Sequence, residues 1–419
     1  MKQLYDFLIF MFSIALRPVS IFNAKAKQRQ KGLLRQKSEI KNIQQTDSRR
    51  IWMHCASLGE FEQGRPLLER IKQQNPEVSI ILTFFSPSGY EKRKNFELAD
   101  KVFYLPADTL TNARRFVQSI RPDVVFFVKY EFWYRHLAEA QKAGAKLILI
   151  AGIFRQNQIF FKPWGGFFRK ILRLFSHFYL QNTHSQKLLE SIGINNSTVC
   201  GDPRFDRVQE IAAQEKSIKG IRAFKNNKLL LVAGSTWSPD EKLLTQFIKQ
   251  ADNNLKLMIA PHEIVNKRMA QIEKQFPQQV IRYSEIHEAN PKDKRILIID
   301  NIGMLSYLYR YADICMTGGG FGVGIHNTLE AAVYAKPIIF GPNYKKFSEA
   351  KALVESGAGF PVSNQEELNE ILNKLTENAD FRRQAGDSAK AYCGSMTGST
   401  KLIYEEVFNP SVDSQKMQI

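Results

Sequence analysis

At 419 residues the chain is too long for one ordinary hydrophobic core, and two domains of similar size are expected. Hydrophobic residues at 44% and charged residues at 24% are those of a globular protein and exclude a mainly disordered chain. The 59 Lys and Arg against 41 Asp and Glu give a net charge of +18, which favours an anionic partner: nucleic acid, acidic lipid or a phosphorylated substrate.

The chain opens on LYDFLIFMFSIALRPVSIF, Leu4 to Phe22, and continues with Lys25, Lys27, Arg29, Lys31 and Arg35. Its uninterrupted apolar core, Phe7 to Leu16, is shorter than the roughly 20 residues a spanning helix needs. Residues 1–35 are therefore expected to form a short or interfacial anchor whose basic segment sits at an anionic membrane face. A buried amphipathic helix of the first domain is the competing expectation.

Past the polar stretch Gln36 to Arg50, short apolar runs alternate with amphipathic ones such as EFEQGRPLLERIKQQ and EFWYRHLAEAQKAG. Strands are predicted at Ile51–Cys55, Val78–Phe85, Val102–Leu105, Val124–Val128, Leu147–Ile153 and His177–Leu180. The rhythm pauses across CGDPRFDRVQEIAAQEKSIKGIRAFKNNK. It restarts at Leu229–Ala233, Leu255–Ala260, Val280–Tyr283, Ile296–Ile299, Ile314–Thr317 and Ile338–Phe340. Strand and helix in alternation predict an α/β protein of two Rossmann-like, doubly wound domains, residues 36–210 and 211–400, facing across a cleft. Residues 401–419 are expected to be a helix end and a frayed tail. Cys55, Cys200, Cys315 and Cys393 have no C-x-x-C spacing, so neither a zinc site nor a disulfide framework is expected.

Chemistry is expected where strands hand over to helices. In ICMTGGGFGVGIHNTLEAAVYAKPIIFGPN, Gly318, Gly319, Gly320, Gly322 and Gly324 let the backbone approach a ligand, and a helix starting near Asn327 would aim free N–H groups at a phosphate. The structural reading of the same residues is a turn plus an Asn327-x-x-Glu330 capping box. Neither G-x-G-x-x-G in register nor G-x-x-x-x-G-K-[ST] occurs, and the chain has no Asp-x-Asp to hold a metal diphosphate. Gly234-Ser235-Thr236 in LLLVAGSTWSPDE form a second loop with donors. In the first half Ser57, Gly59 and Glu60 lie where IWMHCASLGEF turns from strand to helix. Glu131 follows the strand VVFFV. A carboxylate at a helix start is ordinarily a cap, but in a dry site beside a hydroxyl it acts as a general base. His54 is read as a core histidine, His326 as a shaper of the glycine loop, Lys345–Lys346 as a solvated pair, and Phe132 and Trp133 as packing residues.

Taken together, HCASLGE, YEFW, GDPRFD, AGSTW, IIDNIGML and GIHNTLEAAVYAKPIIFGP resemble, in order and spacing, the motifs of the 3-deoxy-D-manno-octulosonic acid (Kdo) transferases of lipopolysaccharide assembly. The resemblance spans nearly the whole chain and implies a membrane-associated GT-B glycosyltransferase at the cytoplasmic face of the inner membrane. It implies inverting transfer of Kdo from CMP-Kdo to the glucosamine disaccharide of a lipid A precursor (lipid IVA), with no metal and no cofactor. By the same resemblance Glu60 is the proton acceptor, and Glu131 and Arg204 steady the charged transition state. Ser57 and Gly59 lie on the acceptor side. The donor positions are Gly234, Ser235, Thr236, Pro261, His262, Gly303, Met304, Leu305, Gly320, Asn327, Thr328, Leu329 and Glu330. The chain departs from the family pattern at Lys129, Tyr134 and Arg204, at IAPHEI, which lacks an arginine before His262, and at Met304 in place of an acid. Lys345, Lys346 and Arg268 are the candidates to replace that arginine. Expected partners are CMP-Kdo, a lipid A precursor and an anionic membrane surface, and no nucleic acid, since no recognisable nucleic-acid-reading motif accompanies the charge. A UDP-sugar transferase or epimerase on the same fold and a basic nucleic-acid binder are the competing readings.

Overall fold

The computed structural model describes residues 1–44, 47–129, 131–287, 290–322 and 324–409, except for the side chains of residues 16 and 17. Tyr130 of the YEFW motif and the expected tail at 410–419 lie outside the described residues. Two compact units divide the chain, Met1–Asp206 with Gly398–Ile419, and Arg207–Thr397.

The first unit holds seven parallel strands in the order β3-β2-β1-β4-β5-β6-β7. They are β1 Arg50–Cys55, β2 Ser79–Phe84, β3 Lys101–Tyr104, β4 Val124–Val128, β5 Lys146–Gly152, β6 His177–Leu180 and β7 Ser197–Val199. Side chains alternate along the central strands, yet both faces are apolar. Ile51, Met53, Val124, Phe126 and Val128 pack into one core, while Trp52, Val125 and Phe127 pack into the other. That is the signature of a sheet covered on both sides, and it explains why these strands read as continuous hydrophobic runs. Truncating Phe126 or Trp52, neither of them exposed, should cost about 3–5 kcal/mol.

In the second unit the order is β10-β11-β9-β8-β12-β13-β14, again all parallel. Its strands are β8 Leu229–Thr236, β9 Leu255–Pro261, β10 Val280–Arg282, β11 Ile296–Ile298, β12 Ile314–Thr317, β13 Ile338–Phe340 and β14 Gly359–Pro361. Both sheets wind outward from a central pair, β1/β4 and β8/β12, and each pair is a topological switch point where open α/β sheets bind ligands. Among the described residues, twelve of the fourteen strands lie where the sequence predicts them. The other two, β7 and β14, are three-residue edge strands, too short for a period and, in β14, carrying Gly359 and Pro361.

Both chain ends differ from expectation. The first helix, α1 (Lys2–Phe22), runs through Pro18 for 21 residues and is long and apolar enough to cross a membrane, whereas a shorter segment was expected from the Phe7–Leu16 core. The second, α2 (Ala24–Lys41), is docked on the first unit, whereas its basic residues were expected at a membrane face. Its Gln36 exchanges two hydrogen bonds with the Tyr104 backbone, 2.6 and 2.8 Å, and so closes the edge of β3. Arg29, expected at a membrane face, is buried instead. At the other end the chain returns to the first unit at Gly398, and the helix Ser399–Phe408 packs there rather than ending the second unit. Asp206 receives the Thr400 N–H at 2.6 Å, and Asn75 bonds the Tyr404 hydroxyl at 2.6 Å.

Candidate active site

In the first unit the candidate carboxylates stand at the C-terminal ends of neighbouring central strands. Glu60 follows β1 in the first turn of the helix α3 (Leu58–Gln74), and Glu131 follows β4. Helix α3 comes down closely on those two strands because Gly64 has no side chain. A Cβ there would meet the Met53 sulfur at 2.5 Å and the Val128 methyl at 3.1 Å. Ser57 caps α3 by accepting the Gly59 N–H at 3.2 Å, and its hydroxyl donates to the Glu60 carboxylate. Glu60 is therefore oriented by the very turn that places it, half-exposed at the switch point.

Glu131 is held more elaborately. Its Oε2 accepts from His54 Nε2 at 2.7 Å and from Trp133 Nε1 at 3.0 Å. Behind it, Thr83 Oγ1 lies 2.9 Å from His54 Nδ1 and accepts from Trp52 Nε1 at 2.8 Å. Burial works to raise the Glu131 pKa. The hydrogen bond and attraction of His54, the bond from Trp133 and the Arg29 charge outweigh it, and the carboxyl lies below its ordinary value. An ionised carboxylate only accepts, so His54 carries a proton on Nε2. His54, 1% exposed, is thus a core histidine as expected and also the group that aims Glu131. Burial also pushes the Cys55 thiol well up, with Glu60, Glu131 and Glu62 adding to the effect, so both candidate acids act on the end of one strand.

Arg29 approaches from α2. It donates to the carbonyls of Phe85 and Leu105, each at 3.0 Å, and lies 4.3 Å over the Phe85 ring, which stacks on Trp133 at 5.2 Å. Burial lowers its pKa to about 10, opposed by Tyr104 and Glu131, so it is charged at neutral pH. Arg204 takes a different anchor. Its Nε and Nη2 reach Asp202 Oδ2 at 3.1 and 2.9 Å, and the same oxygen accepts from Gln63, one turn beyond Glu60 on α3, at 2.7 Å. Burial favours a higher Asp202 pKa, but Arg204 and Gln63 hold it below the ordinary carboxylate range.

The second unit gathers its candidates along one sheet edge too, but chiefly as backbone. Ser235 and Thr236 close β8, Pro261 and His262 close β9, Gly303–Leu305 follow β11, and Gly318–Glu330 follow β12. Much of the bare glycine faces neighbouring protein. A Cβ on Gly318 would lie 2.4 Å from the Ser235 carbonyl, one on Gly320 2.6 Å from the Gly341 backbone, and one on Gly234 2.0 Å from the Tyr309 side-chain hydroxyl. Gly319 takes a left-handed φ of 92° and donates to Asp240 at 3.1 Å. Asp240 also receives the Trp237 N–H at 2.8 Å, so this buried carboxyl, its pKa raised by burial, staples the two loops together. The helix expected near Asn327 is a single turn, Leu329–Ala332, because Ala335 and Pro337 already lead into β13. Asn327 accepts the Leu329 N–H at 3.1 Å and donates to Glu330 at 3.1 Å, so Glu330 is oriented by a neighbouring amide. Thr236, Thr328, Leu329 and Gly320 are buried, which leaves His262, Trp237, His326, Asn327, Glu330, Ser235, Met304 and Leu305 as the side chains presented.

A stack missed at the sequence level completes this edge. Trp237 lies 4.8 Å from His262 and His262 4.3 Å from His326, both nearly parallel, and Trp237 Nε1 donates to His326 Nε2 at 3.1 Å. The three residues come from three loops, so no local spacing announces them. Arg268 bonds Glu241 and the Thr236 carbonyl and lies 6.0 Å from the Trp237 ring. Lys345 and Lys346 instead line a 370 Å³ hollow with Gly322 and Asn343. Among the described residues no group of three His, Cys, Asp or Glu side chains is placed to hold a metal ion.

Paired parallel-sheet units with these strand orders define a GT-B-like fold. Solved structures agree: the UDP-GlcNAc 2-epimerase of Neisseria meningitidis matches with a TM-score of 0.58 at 16% identity, over 85% of this chain and 98% of that one. MurG of Acinetobacter baumannii matches with 0.53 at 14% identity, over 86% and 99%. The family model for 3-deoxy-D-manno-octulosonic-acid transferase (kdotransferase) matches residues 25–207. Proteins described as 3-deoxy-D-manno-octulosonic acid transferase in Rickettsia bellii (strain RML369-C) and Aquifex aeolicus (strain VF5) are each 28% identical to it. They cover 79% and 80% of this chain and 80% and 87% of their own lengths. Over these spans the chain is similar to the Kdo transferases, a family of glycosyltransferases.

Proposed function

We propose that the chain transfers Kdo from CMP-Kdo to the glucosamine disaccharide of lipid IVA, inverting the anomeric centre without a metal. The observation that carries this reading is the placement of Glu60 and Glu131 after the neighbouring strands β1 and β4, one held by Ser57 and the other by His54 and Trp133. Glu60 takes the proton of the acceptor hydroxyl as its oxygen bonds the anomeric carbon. The bond from that carbon to the phosphate breaks, and CMP leaves with the electron pair. Glu131, ionised and fixed, stabilises the positive charge growing on the sugar, with Arg204 placed by Asp202, which also accepts from Gln63 one turn beyond Glu60 on α3. In the second unit Lys345 and Lys346, beside the glycine loop, receive the phosphate, while Trp237, His262 and His326 offer a flat surface to the base. The apolar helix α1 supports work at a membrane surface, on the cytoplasmic side of the inner membrane where nucleotide sugars are made available.

Mass spectrometry of lipid IVA incubated with the full chain and a CMP-Kdo generating system tests donor and acceptor together. A mass gain of Kdo, undiminished by EDTA, is the expected result. Transfer only from a UDP-sugar, or no transfer to lipid IVA, overturns it.

A further inference from the structure

Beside Glu131, and inside the first unit, lies a cavity of about 1460 Å³ between the α1–α2 pair and the strand end and helix that follow β3. It exceeds the roughly 300–1,000 Å³ of small-molecule pockets. Ile9 and Phe12 of α1, Leu33 of α2 and Phe116 line it with hydrocarbon. Lys37, Lys41 and Arg115 add positive charge, and the one carboxylate of the lining, Asp108, is already bonded by Tyr5 and by the backbone of Arg135 and His136. Arg29 and Trp133, which tie directly into the Glu131 network, form part of the same wall.

We propose that this cavity holds an acyl chain of the phosphorylated lipid acceptor. The inference rests on the reading of that acceptor as an acylated disaccharide and adds where its hydrocarbon goes. Three observations select this occupant. Hydrocarbon walls with a cationic lining match a chain attached to an anionic head group. The cavity is continuous with the residues that orient Glu131, so a chain seated there brings its sugar to the carboxylates. Finally, α1 is fastened across the unit. Asp6 pairs with Arg135, Tyr5 bonds Asp108, and Ser20 bonds Gln30 of α2 at 2.8 Å. Pinned near both ends, α1 lies against the unit and exposes Leu4, Phe7, Leu8, Phe10 and Met11, the surface through which a lipid leaves a bilayer.

The test uses the full chain in phosphatidylethanolamine–phosphatidylglycerol vesicles with lipid IVA carrying a diazirine at the end of one acyl chain. Photolysis is expected to label Ile9–Gln36 and Asn112–Ser119, and excess unlabelled lipid IVA should suppress the labelling. Labelling confined to other segments, or suppressed by added phosphatidylglycerol alone, overturns the proposal. In parallel, Leu33→Trp should lower the kcat/KM ratio of acylated over deacylated acceptor by about tenfold, as expected when a few buried methylenes lose their place. A folded variant whose ratio stays within about twofold of the original argues against the cavity. If the unaltered chain transfers Kdo to neither acceptor, the functional reading fails, and the crosslink still decides the cavity.

Discussion

The two sheet edges use opposite materials. At the β1/β4 edge the candidate groups are acidic and basic side chains, each fixed by a second side chain: Glu60 by Ser57, Glu131 by His54 and Trp133, Arg204 by Asp202. At the β8/β12 edge the candidates sit on loops packed backbone to backbone through Gly318 and Gly320 and stapled by Asp240. A proton acceptor must be a titratable group, whereas a phosphate needs only donors that do not reorganise. The first edge should therefore fail when a charge is removed, and the second when a methyl group is added.

The largest effect should come from Glu60→Gln, with kcat lowered by about 10³-fold and CMP-Kdo affinity kept, read by initial rates and calorimetry. Next is His54→Ala, which among the described residues leaves Glu131 the bond from Trp133 and should cost about 10²-fold in kcat. It also carries a pH signature. A carboxyl held below its ordinary value contributes its charge above that value and loses it as pH falls through the lower folded value. Without His54 that loss begins at higher pH, so the acid limb of the kcat profile should move up. An unmoved limb would separate Glu131 from the chemistry.

At the second edge, Gly320→Ala tests the backbone side of the comparison. Its methyl would meet Gly341 at 2.6 Å, so a loss of about 1–3 kcal/mol and weaker CMP binding are expected from thermal melts and titration. Smaller again, Lys345→Ala with Lys346→Ala should weaken CMP binding about fivefold and flatten its salt dependence. The smallest is Tyr5→Phe, which removes the hydroxyl bonded to Asp108 and should lower stability by about 1 kcal/mol without touching either edge.

The sequence by itself determined the fold class, most of the strands and the two edges, because a sheet covered on both faces writes itself as apolar runs and ligand loops must follow strand ends. It also singled out Glu60 and Glu131 by position. It did not reveal what holds them. Arg29 lies a hundred residues from Glu131 and read as one of several basic residues facing a membrane. Trp237, His262 and His326 share no spacing, and Gly318 and Gly320 read as ligand contacts although their missing side chains make room for Ser235 and Gly341. Only the tertiary structure decided these roles, because hydrogen bonds and close approaches depend on which strand ends become neighbours, and in a doubly wound sheet neighbours such as β1 and β4 are far apart along the chain.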